Sequence, residues 1–273
     1  MPLTGSPIYL STMLLEKNRA NGKGPSLLVS DWMEPIAEDG FAGVEIWINH
    51  LHLASRSEWE LIRDKAAEID FTVALISATL PCDASDKSHK LRETLLEACD
   101  YFHPDGLKFT LAEDRRLRAG QADEAVDFAR NWLLDMPKEI AFLYGCREGE
   151  GGLDGLARIR EAFPGPRHRA TLNPFHLSSA DFAAALATHG EYIGNLGVQV
   201  KRDGKWSLLS DSKDEVQAIV AVSRSGGYKG TWSVEFTQGA GLPKESIEDM
   251  FDNSEKDLNF LTEALTRLAG GKV

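Results

Sequence analysis

Short apolar segments alternate with longer amphipathic segments along the chain. One such unit pairs the apolar segment 43–50, GVEIWINH, with the helical pattern at 55–70, which Ser55 or Ser57 can cap. The pattern repeats and predicts eight strand–helix units. The predicted strands cover 7–15, 43–50, 71–80, 106–113, 139–146, 169–177, 196–203 and 230–236, and the predicted helices cover 26–40, 55–70, 86–102, 122–136, 152–163, 179–190, 213–227 and 244–270.

No Pro-, Gly- or Ser-rich linker divides these units, so the sequence predicts one domain over residues 1–273. Eight alternating units in an uninterrupted chain favour an α/β fold of the closed parallel (β/α)8 type, the TIM barrel. An open doubly wound sheet is the alternative, but such a sheet usually has a glycine-rich phosphate-binding turn after its first strand. The sequence has no GxGxxG or P-loop motif at that place.

Alternation within the predicted strands separates an apolar face from a polar face. In 230–236, for example, Trp232 and Val234 oppose Glu235. One face of a barrel strand points inward, and chemistry gathers at the C-terminal ends of the strands. The polar residues predicted to converge at one barrel mouth are Glu45, Lys108, Tyr144, Asn173, Gln199, Lys201 and Glu235.

These charged positions have a structural interpretation and a functional one. A single Glu–Lys pair inside a barrel can be an inert ion pair. Burying charges is costly, however, unless they have good partners or a role. Two glutamates and two lysines at one mouth therefore favour a functional site.

Composition and charge narrow the set of partners. The chain is 42% hydrophobic and 26% charged, as expected of a globular protein, and its formal net charge is −12. The acidic balance argues against nucleic acid or an anionic membrane surface as the main partner. Because we find no signal peptide and no apolar run of the ~20 residues that span a bilayer, we expect a cytoplasmic protein. Three widely spaced cysteines without a CxxC motif are expected to be reduced thiols.

Four segments resemble the xylose isomerase-like TIM barrels of sugar isomerases and epimerases. They are FAGVEIW at the second strand, LNPFHL at the sixth, GVQVKRDGKW at the seventh and GGYKGTWSVEF at the eighth. Their order and spacing agree over most of the chain, and GYKGTWSVE is the most specific piece. The resemblance implies the barrel fold and a small carbohydrate or keto-acid substrate. Barrels of this kind commonly pair, so a homodimer is a further expectation.

The resemblance also implies a divalent cation, such as Mn²⁺, Mg²⁺ or Co²⁺, held by four side chains. These are Glu on the fifth strand, Asp in a D-P-x-H-like segment after the sixth, His or Gln on the seventh, and Glu on the eighth. Gln199 and Glu235 match, but Asn173 replaces the Asp and Tyr144 stands near the place of the missing Glu, with glutamates at 148–150 just beyond. A hard divalent ion prefers several anionic oxygens. The expectation is therefore no metal, or a weakly bound one.

The family's chemistry, proton transfer next to a carbonyl, needs a base and a group that stabilises the resulting enediolate. Without a metal, lysines and hydrogen-bond donors must stabilise it. The predicted catalytic residues are Glu235 as base, with Glu45 as the alternative, Lys108 and Lys201 as stabilisers, and Tyr144 as proton donor, with His176 as the alternative. The predicted substrate-binding residues are Glu45, Trp47, Asn173, His176 and Gln199.

Two other functions stay open at this stage. The loss of two expected metal ligands also fits a non-catalytic carbohydrate-binding protein or a partner subunit. In this case and in the catalytic one, Trp47, Phe175 and Trp206 can stack on a sugar. A lyase that uses the same enolate chemistry on the same barrel is the other alternative, because one barrel fold serves many reactions.

Two loop segments contain further candidate groups. His50 and His52 form an HxH just after the second strand, and we interpret them as an exposed loop pair rather than a metal pair. The segment 113–120, EDRRLRAG, contains three arginines that can bind a phosphate or carboxylate. A solvated loop is the simpler interpretation of this segment.

Overall fold

A computed structural model of the chain describes residues 6–18, 24–81, 84–111, 122–145, 153–242 and 246–270. In this part of the chain, eight parallel strands close into a barrel and two more form an antiparallel hairpin. The strands are β1 (Ile8–Ser11), β2 (Gly43–Trp47), β3 (Val73–Leu80), β4 (Gly106–Leu111), β5 (Ala141–Gly145), β6 (His168–Leu172), β7 (Ile193–Val198), β8 (Val200–Arg202), β9 (Lys205–Ser207) and β10 (Thr231–Val234). Barrel strands pair in chain order, and β10 lies between β7 and β1. The predicted (β/α)8 fold class is confirmed.

Helical segments follow each barrel strand. Their bounds are α1 (Met33–Glu38), α2 (Ile48–His52), α3 (Arg56–Glu68), α4 (Asp86–Phe102), α5 (Ala122–Leu133), α6 (Leu153–Ala162), α7 (Ser179–His189), α8 (Lys213–Ser225) and α9 (Ile247–Gly270). Of the two predicted caps of α3, the side chain of Ser55 accepts the hydrogen bond, from the N–H of Glu58. Among the helices in the described ranges, none is both long and apolar enough to cross a membrane.

The first helix is shorter than the predicted segment 26–40. A 3₁₀ turn covers Val29–Asp31, and α1 begins only at Met33. Pro35 explains the late start, because proline has no N–H and its ring clashes with the carbonyl four residues earlier. Proline is therefore tolerated in the first turn of a helix and not in its interior, so a continuous helix through this segment is disfavoured.

The seventh strand is also shorter than predicted. It ends at Val198, and residues 200–202 of the predicted strand form β8, which pairs with β9 in a hairpin. Arg202 pairs with Lys205, and the two residues between them, Asp203 and Gly204, both have positive φ angles. A two-residue Asp-Gly loop with this backbone is a strong hairpin signal. The sequence contains that signal, and our strand prediction missed it.

The main core lies between the outward faces of the strands and the helices. Phe109 of β4 is fully buried against Trp132 of α5 and Phe142 of β5. Trp232 of β10 is likewise buried, with Tyr228 edge-on to its ring. Burying large apolar side chains of this kind stabilises the fold by about 1.5–3 kcal/mol each.

The barrel interior divides into an apolar and a polar part. Tyr9, Leu75 and Leu143 belong to a buried cluster separate from the main core. Tyr9 and Leu75 precede Ser11 and Ser77 by two residues, so each pair shares the inward face of its strand. Apolar side chains therefore fill the N-terminal side of the interior, and polar side chains gather toward the C-terminal ends of the strands.

Asp257 of α9 connects the segments that follow β9 and β10. Its Oδ1 accepts a hydrogen bond from the N–H of Leu209 at 2.7 Å, and its Oδ2 accepts one from Oγ1 of Thr237 at 2.6 Å. The side chain is buried, and burial raises the pKa of Asp257 to about 7 even though both hydrogen bonds lower it. Thr237 lies two residues after Glu235, so this link helps to hold the end of β10 in place.

Asp257 is expected to make stability depend on pH. Its pKa is raised on folding, so the folded state keeps a proton that the unfolded state releases between about pH 4 and 7. Stability should therefore fall as pH rises through that window, by a few kcal/mol, roughly 4 at most. Asp257→Asn imitates the neutral form and should remove this component. Urea unfolding at several pH values measures it.

The matched control is Asp249→Asn, at an exposed position near the start of the same helix. Its unfolding free energy should follow the wild-type pH dependence. A constant stability difference between Asp257→Asn and wild type from pH 4 to pH 7 would contradict the expected titration.

Candidate active site

Lys108 of β4 lies at the centre of the polar part of the barrel. Its Nζ donates to Oε2 of Glu45 at 2.9 Å and also to Oε1 of Glu235. Burial by itself lowers the pKa of the Lys108 ammonium, but attraction and hydrogen bonds from Glu235 and Glu45 outweigh burial and raise the pKa above its usual value. Lys108 therefore stays charged at neutral pH, as a fixed cation between two carboxylates.

The two carboxylates differ in accessibility. The Glu45 side chain is 2% exposed and also accepts a hydrogen bond from Oγ of Ser11 at 3.2 Å. The Glu235 side chain is 15% exposed and lies just past the end of β10. Glu45 thus holds Lys108 from within the barrel, whereas Glu235 lies on the side that a ligand can reach.

A glycine on β7 leaves room for Glu235. A Cβ added at Gly197 would lie 2.7 Å from Oε1 and 2.9 Å from Oε2 of Glu235. Real Cβ atoms do not approach other atoms so closely, so any larger residue would displace the carboxylate. The backbone of β7 therefore forms part of the wall against which Glu235 is placed.

Two buried polar atoms at the strand ends lack a hydrogen-bond partner in the described part of the chain. Oγ of Ser77 on β3 and Oε1 of Gln199, just past β7, are buried, and within the described residues neither has a hydrogen-bond partner. Each residue is only 9% exposed. Buried polar atoms are nearly always paired, so these two are candidate ligand contacts. Gln199 was predicted as a site residue. Ser77 was missed, although its inward position in VALISATL was visible by alternation.

Asn173 and His176 form part of the rim. Oδ1 of Asn173 accepts the N–H of Phe175 at 2.9 Å and so caps the 3₁₀ turn Pro174–His176. Nδ2 of Asn173 donates to the carbonyl oxygen of Gln199 at 3.4 Å and lies 3.3 Å from Nε2 of His176. The Asn173 amide thus orders this corner of the mouth, and the exposed His176 stands at its edge.

Trp47 ends β2 beside the same mouth. It is partly buried and is in register with Ser77 on β3. Its backbone N–H donates a hydrogen bond to Oγ1 of Thr12. Its ring packs nearly perpendicular to the ring of His50, with the two ring centres 5.5 Å apart. The backbone and the ring of Trp47 are therefore both held in place.

The interpretation of His50 and His52 as an exposed loop pair is wrong for His50. It lies in α2, is 2% exposed, and contacts Oε2 of Glu16 at 2.9 Å and Oγ1 of Thr12 at 2.8 Å. Burial raises the pKa of Glu16, but hydrogen bonds from His50 and from the backbone N–H groups of Asn18 and Ser26 lower it to about 2. His52 is exposed, as predicted, but it also lies in α2 rather than in a loop. The buried network secures the start of the loop after β1.

The predicted inward orientation of Tyr144 is wrong. Its hydroxyl contacts Nδ1 of His168 at 2.7 Å, and its ring stacks on Phe163, just after α6, and on Phe109 of β4. Tyr144 therefore faces the helices, on the opposite side of the sheet from Lys108. The segment AFLYG is apolar on both faces, so alternation alone did not show which face points inward.

The predicted inward orientation of Lys201 is wrong as well. It lies on β8 of the hairpin, is exposed, and its Nζ is 4.7 Å from the ring centre of Trp206. Trp206 in turn stacks on Phe236, the neighbour of Glu235, with ring centres 4.8 Å apart. Since β7 ends at Val198, Lys201 lies in the hairpin that the Asp203–Gly204 turn connects and not in the barrel wall. Lys201 belongs to the hairpin rather than to the carboxylate cluster.

The described residues do not fit the four-ligand metal set that the resemblance implies. Lys108 already occupies the carboxylate of Glu235, Oδ1 of Asn173 accepts a backbone N–H, and Tyr144 faces away. Within residues 6–18, 24–81, 84–111, 122–145, 153–242 and 246–270, no group of three or more His, Cys, Asp or Glu side chains is placed to hold an ion. The expectation of no metal, or a weakly bound one, stays a prediction.

Some of the sequence-based candidates lie outside the described residues. They are Glu148 and Glu150 after β5, the arginine-containing segment 113–120, and the cysteines Cys82 and Cys146. The interpretations of these residues stay predictions.

Removing the Lys108 ammonium should destabilise the barrel. Lys108→Met leaves the Glu45 carboxylate buried without its cation, so a loss of about 3–5 kcal/mol is expected. Adding Glu45→Gln removes the unpaired charge and should restore part of that loss. Urea unfolding of the two variants and of the exposed control Lys213→Met measures the effect. Equal losses for the single and double variants would contradict this description of the ion cluster.

Comparisons with known proteins support the fold. No protein-family model and no curated protein matches the chain. Many solved structures do match over nearly its full length. One is a xylose isomerase-like TIM barrel/4-hydroxyphenylpyruvate dioxygenase fusion protein, with 17% identity and a TM-score of 0.64 over 97% of this chain. This chain spans 44% of that fusion protein.

Two further structures match along almost the whole of both chains. D-psicose 3-epimerase from Clostridium cellulolyticum H10, solved with D-tagatose, is 14% identical, with a TM-score of 0.66 over 95% of this chain and 99% of its own. The probable 3-DHS dehydratase AsbF from Bacillus anthracis, involved in petrobactin synthesis, is 14% identical, with a TM-score of 0.67 over 97% of this chain and 100% of its own. At these identities the matches show the fold alone, and this chain has the (β/α)8 TIM-barrel fold that these structures share.

Proposed function

We propose that this protein is an enzyme that moves a proton on the carbon next to the carbonyl group of a sugar or keto-sugar, through an enediolate. The observation that supports this proposal is the buried Glu45–Lys108–Glu235 cluster at the C-terminal end of a closed barrel. The chemistry needs one base and one positive group close together, and the cluster contains both. The similar structures include a sugar epimerase and a probable dehydratase, which are consistent with such chemistry.

Glu235 is the proposed base. Its side chain is more exposed than that of Glu45, and its neighbour Gly197 leaves it space. Glu45 instead accepts hydrogen bonds from Ser11 and Lys108 and keeps the ammonium in position. A carboxylate base must come within hydrogen-bond distance of the proton it removes, and only Glu235 of the two lies toward the opening.

Lys108 is the proposed stabiliser of the enediolate oxygen. An ammonium group has three N–H donors, and the two carboxylates account for two of them. The third can donate to a carbonyl oxygen, which becomes negatively charged as the proton leaves. A preorganised charge in a water-poor site stabilises such an oxyanion more than the same charge in water. For the second proton transfer we propose His176 at the rim, since the Tyr144 hydroxyl faces away from the mouth.

The role of Glu235 can be tested by following the proton directly. We would incubate the protein in D₂O with D-ketohexoses and measure deuterium incorporation beside the carbonyl by NMR. Glu235→Gln should lower the exchange rate by about 10²–10⁴-fold, as expected for loss of a general base. Gly197→Ala keeps the carboxylate but displaces it, and should also slow exchange. The exposed Glu248→Gln is the matched control, and exchange that survives Glu235→Gln would contradict the assignment.

A metal-independent reaction is part of the proposal, because Lys108 supplies a positive charge beside the proposed base Glu235. Overnight dialysis against EDTA should then leave the exchange rate unchanged within about twofold. Elemental analysis of the purified protein should find much less than one equivalent of Mn, Mg or Co. Activity that is lost with EDTA and restored by one of these ions would refute this part of the proposal.

The alternative is a non-catalytic sugar-binding protein or partner subunit. The observation that favours it is the Asn173 oxygen, which caps a turn instead of being free to ligate. Sugar binding without any proton exchange by the wild-type protein would support that alternative. A lyase remains within the main proposal, because it begins with the same proton removal.

A further inference from the structure

We propose that Trp206 is a positioning residue, which sets the place of the Glu235 carboxylate through the ring of Phe236. The β8–β9 hairpin then supports the active site without touching the reacting atoms. The inference deepens the proposed function, because it identifies what holds the same site in place. It rests on that function only for the catalytic effect, and the placement of Glu235 can be measured without any reaction.

Glu235 lies beyond the part of β10 that the barrel ladder holds. The strand ends at Val234, which is in register with Leu10 of β1 and Val198 of β7. The segment 235–237 has no strand structure, so the ladder does not extend to it. A general base must nonetheless come within hydrogen-bond distance of its proton. Side-chain contacts therefore have to place this carboxylate.

Phe236 contacts the hairpin through a stacked pair of rings. Its ring is nearly parallel to that of Trp206, with an angle of 6° between the planes and 4.8 Å between the ring centres. Both residues are partly buried and pack against the main core. Glu235 and Phe236 share one planar peptide unit, and their Cα atoms are about 3.8 Å apart. A shift of the Phe236 ring therefore moves the backbone that carries the Glu235 carboxylate.

The hairpin that contains Trp206 is itself held in place. Trp206 on β9 is opposite Lys201 on β8, and the Lys201 ammonium lies 4.7 Å from the centre of the indole ring. Arg202 of β8 donates to Oγ of Ser212 at 2.8 Å and forms an ion pair with Glu215 of α8. These contacts limit how far the hairpin can move relative to α8, and they limit the position of the stacked ring with it.

A second link connects the hairpin to the same segment through α9. The Asp257 carboxylate accepts hydrogen bonds from the N–H of Leu209, after β9, and from Oγ1 of Thr237, two residues past Glu235. On the inward side, the ammonium of Lys108 donates to the Glu235 carboxylate itself. Glu235 is therefore held at its backbone from the side of the hairpin and at its carboxylate from within the barrel.

A double-mutant cycle tests the placement of Glu235 without a substrate. If the stack holds Glu235 beside Lys108, Trp206→Ala already weakens that ion pair. Glu235→Gln should then change the unfolding equilibrium constant, measured with urea, by a factor at least about threefold smaller in Trp206→Ala than in wild type. The matched control is Trp32→Ala, which removes a partly buried tryptophan that packs on Phe251 of α9. Its effect and that of Glu235→Gln should add.

A second variant breaks the stack from its other side. Phe236→Leu removes the ring but keeps an apolar side chain at a position that packs on the core. It should show the same coupling to Glu235→Gln as Trp206→Ala does, and it replaces Trp206→Ala in the cycle if that variant does not fold. Combining it with Trp206→Ala should add little, because either change alone removes the stacked pair.

Proton exchange in D₂O tests the catalytic consequence, with the D-ketohexose that the wild type exchanges fastest. Trp206→Ala should lower kcat by about 10–100-fold, since a catalytic group displaced by about 1 Å loses up to that much. KM should stay within about threefold, because the base moves and not the binding groups. The acid limb of the pH profile should shift to higher pH, since a carboxylate farther from Lys108 is protonated more easily. Trp206→Phe keeps a flat ring and should retain kcat within about threefold.

Two results would overturn the inference. One is additivity of Trp206→Ala and Glu235→Gln in the unfolding cycle. The other is a raised KM with unchanged kcat in Trp206→Ala, which indicates that the indole ring stacks on the sugar itself. Failure of the proposed function is a separate result. If the wild type exchanges no proton but the cycle shows coupling, Trp206 places Glu235 and the base assignment fails. If exchange depends on Glu235 while the cycle is additive, the base assignment stands and the inference fails.

Discussion

The polar half of the barrel is organised around a single ammonium group. Lys108 extends from β4 to Glu235, which follows the opposite strand β10, and also binds Glu45 of β2. Each carboxylate would be costly to bury alone, and so would the ammonium. For Lys108, burial lowers the pKa of the ammonium, but attraction from Glu235 and Glu45 outweighs burial and raises that pKa above its usual value. Gly197, Ser77 and Gln199 lie around this cluster.

The same cluster connects stability with function. Oγ of Ser77, the neighbour of Lys108 on β3, and Oε1 of Gln199, just past β7, are buried without a hydrogen-bond partner among the described residues. Their burial costs stability. Gly197 has no side chain, and its absence leaves room for the carboxylate of Glu235. Asp257 of α9 helps to hold this end of the barrel in place, because it accepts a hydrogen bond from Oγ1 of Thr237.

The errors in the sequence-based predictions have local physical causes. Tyr144 sits in a strand that is apolar on both faces, so its direction depends on the register with β4 and β6. Lys201 was assigned to a barrel strand because the Asp203–Gly204 turn was not recognised as a hairpin. His50 was placed in an exposed loop because nothing near it in sequence indicates that Glu16 and Thr12 would enclose it. These errors concern the bounds of single elements and the environments of side chains, and the fold class was predicted correctly.

The sequence alone determined the eightfold alternation of strands and helices, and with it the barrel and the inward positions of Glu45, Lys108 and Glu235. These follow from local periodicity, which each segment contains by itself. Tertiary structure decided which of these groups meet. Lys108 and Glu235 are 127 residues apart, and they become partners because barrel closure places β4 opposite β10. Among the described residues, closure also leaves Oγ of Ser77 and Oε1 of Gln199 without a hydrogen-bond partner, since hydrogen-bond satisfaction depends on every strand at once.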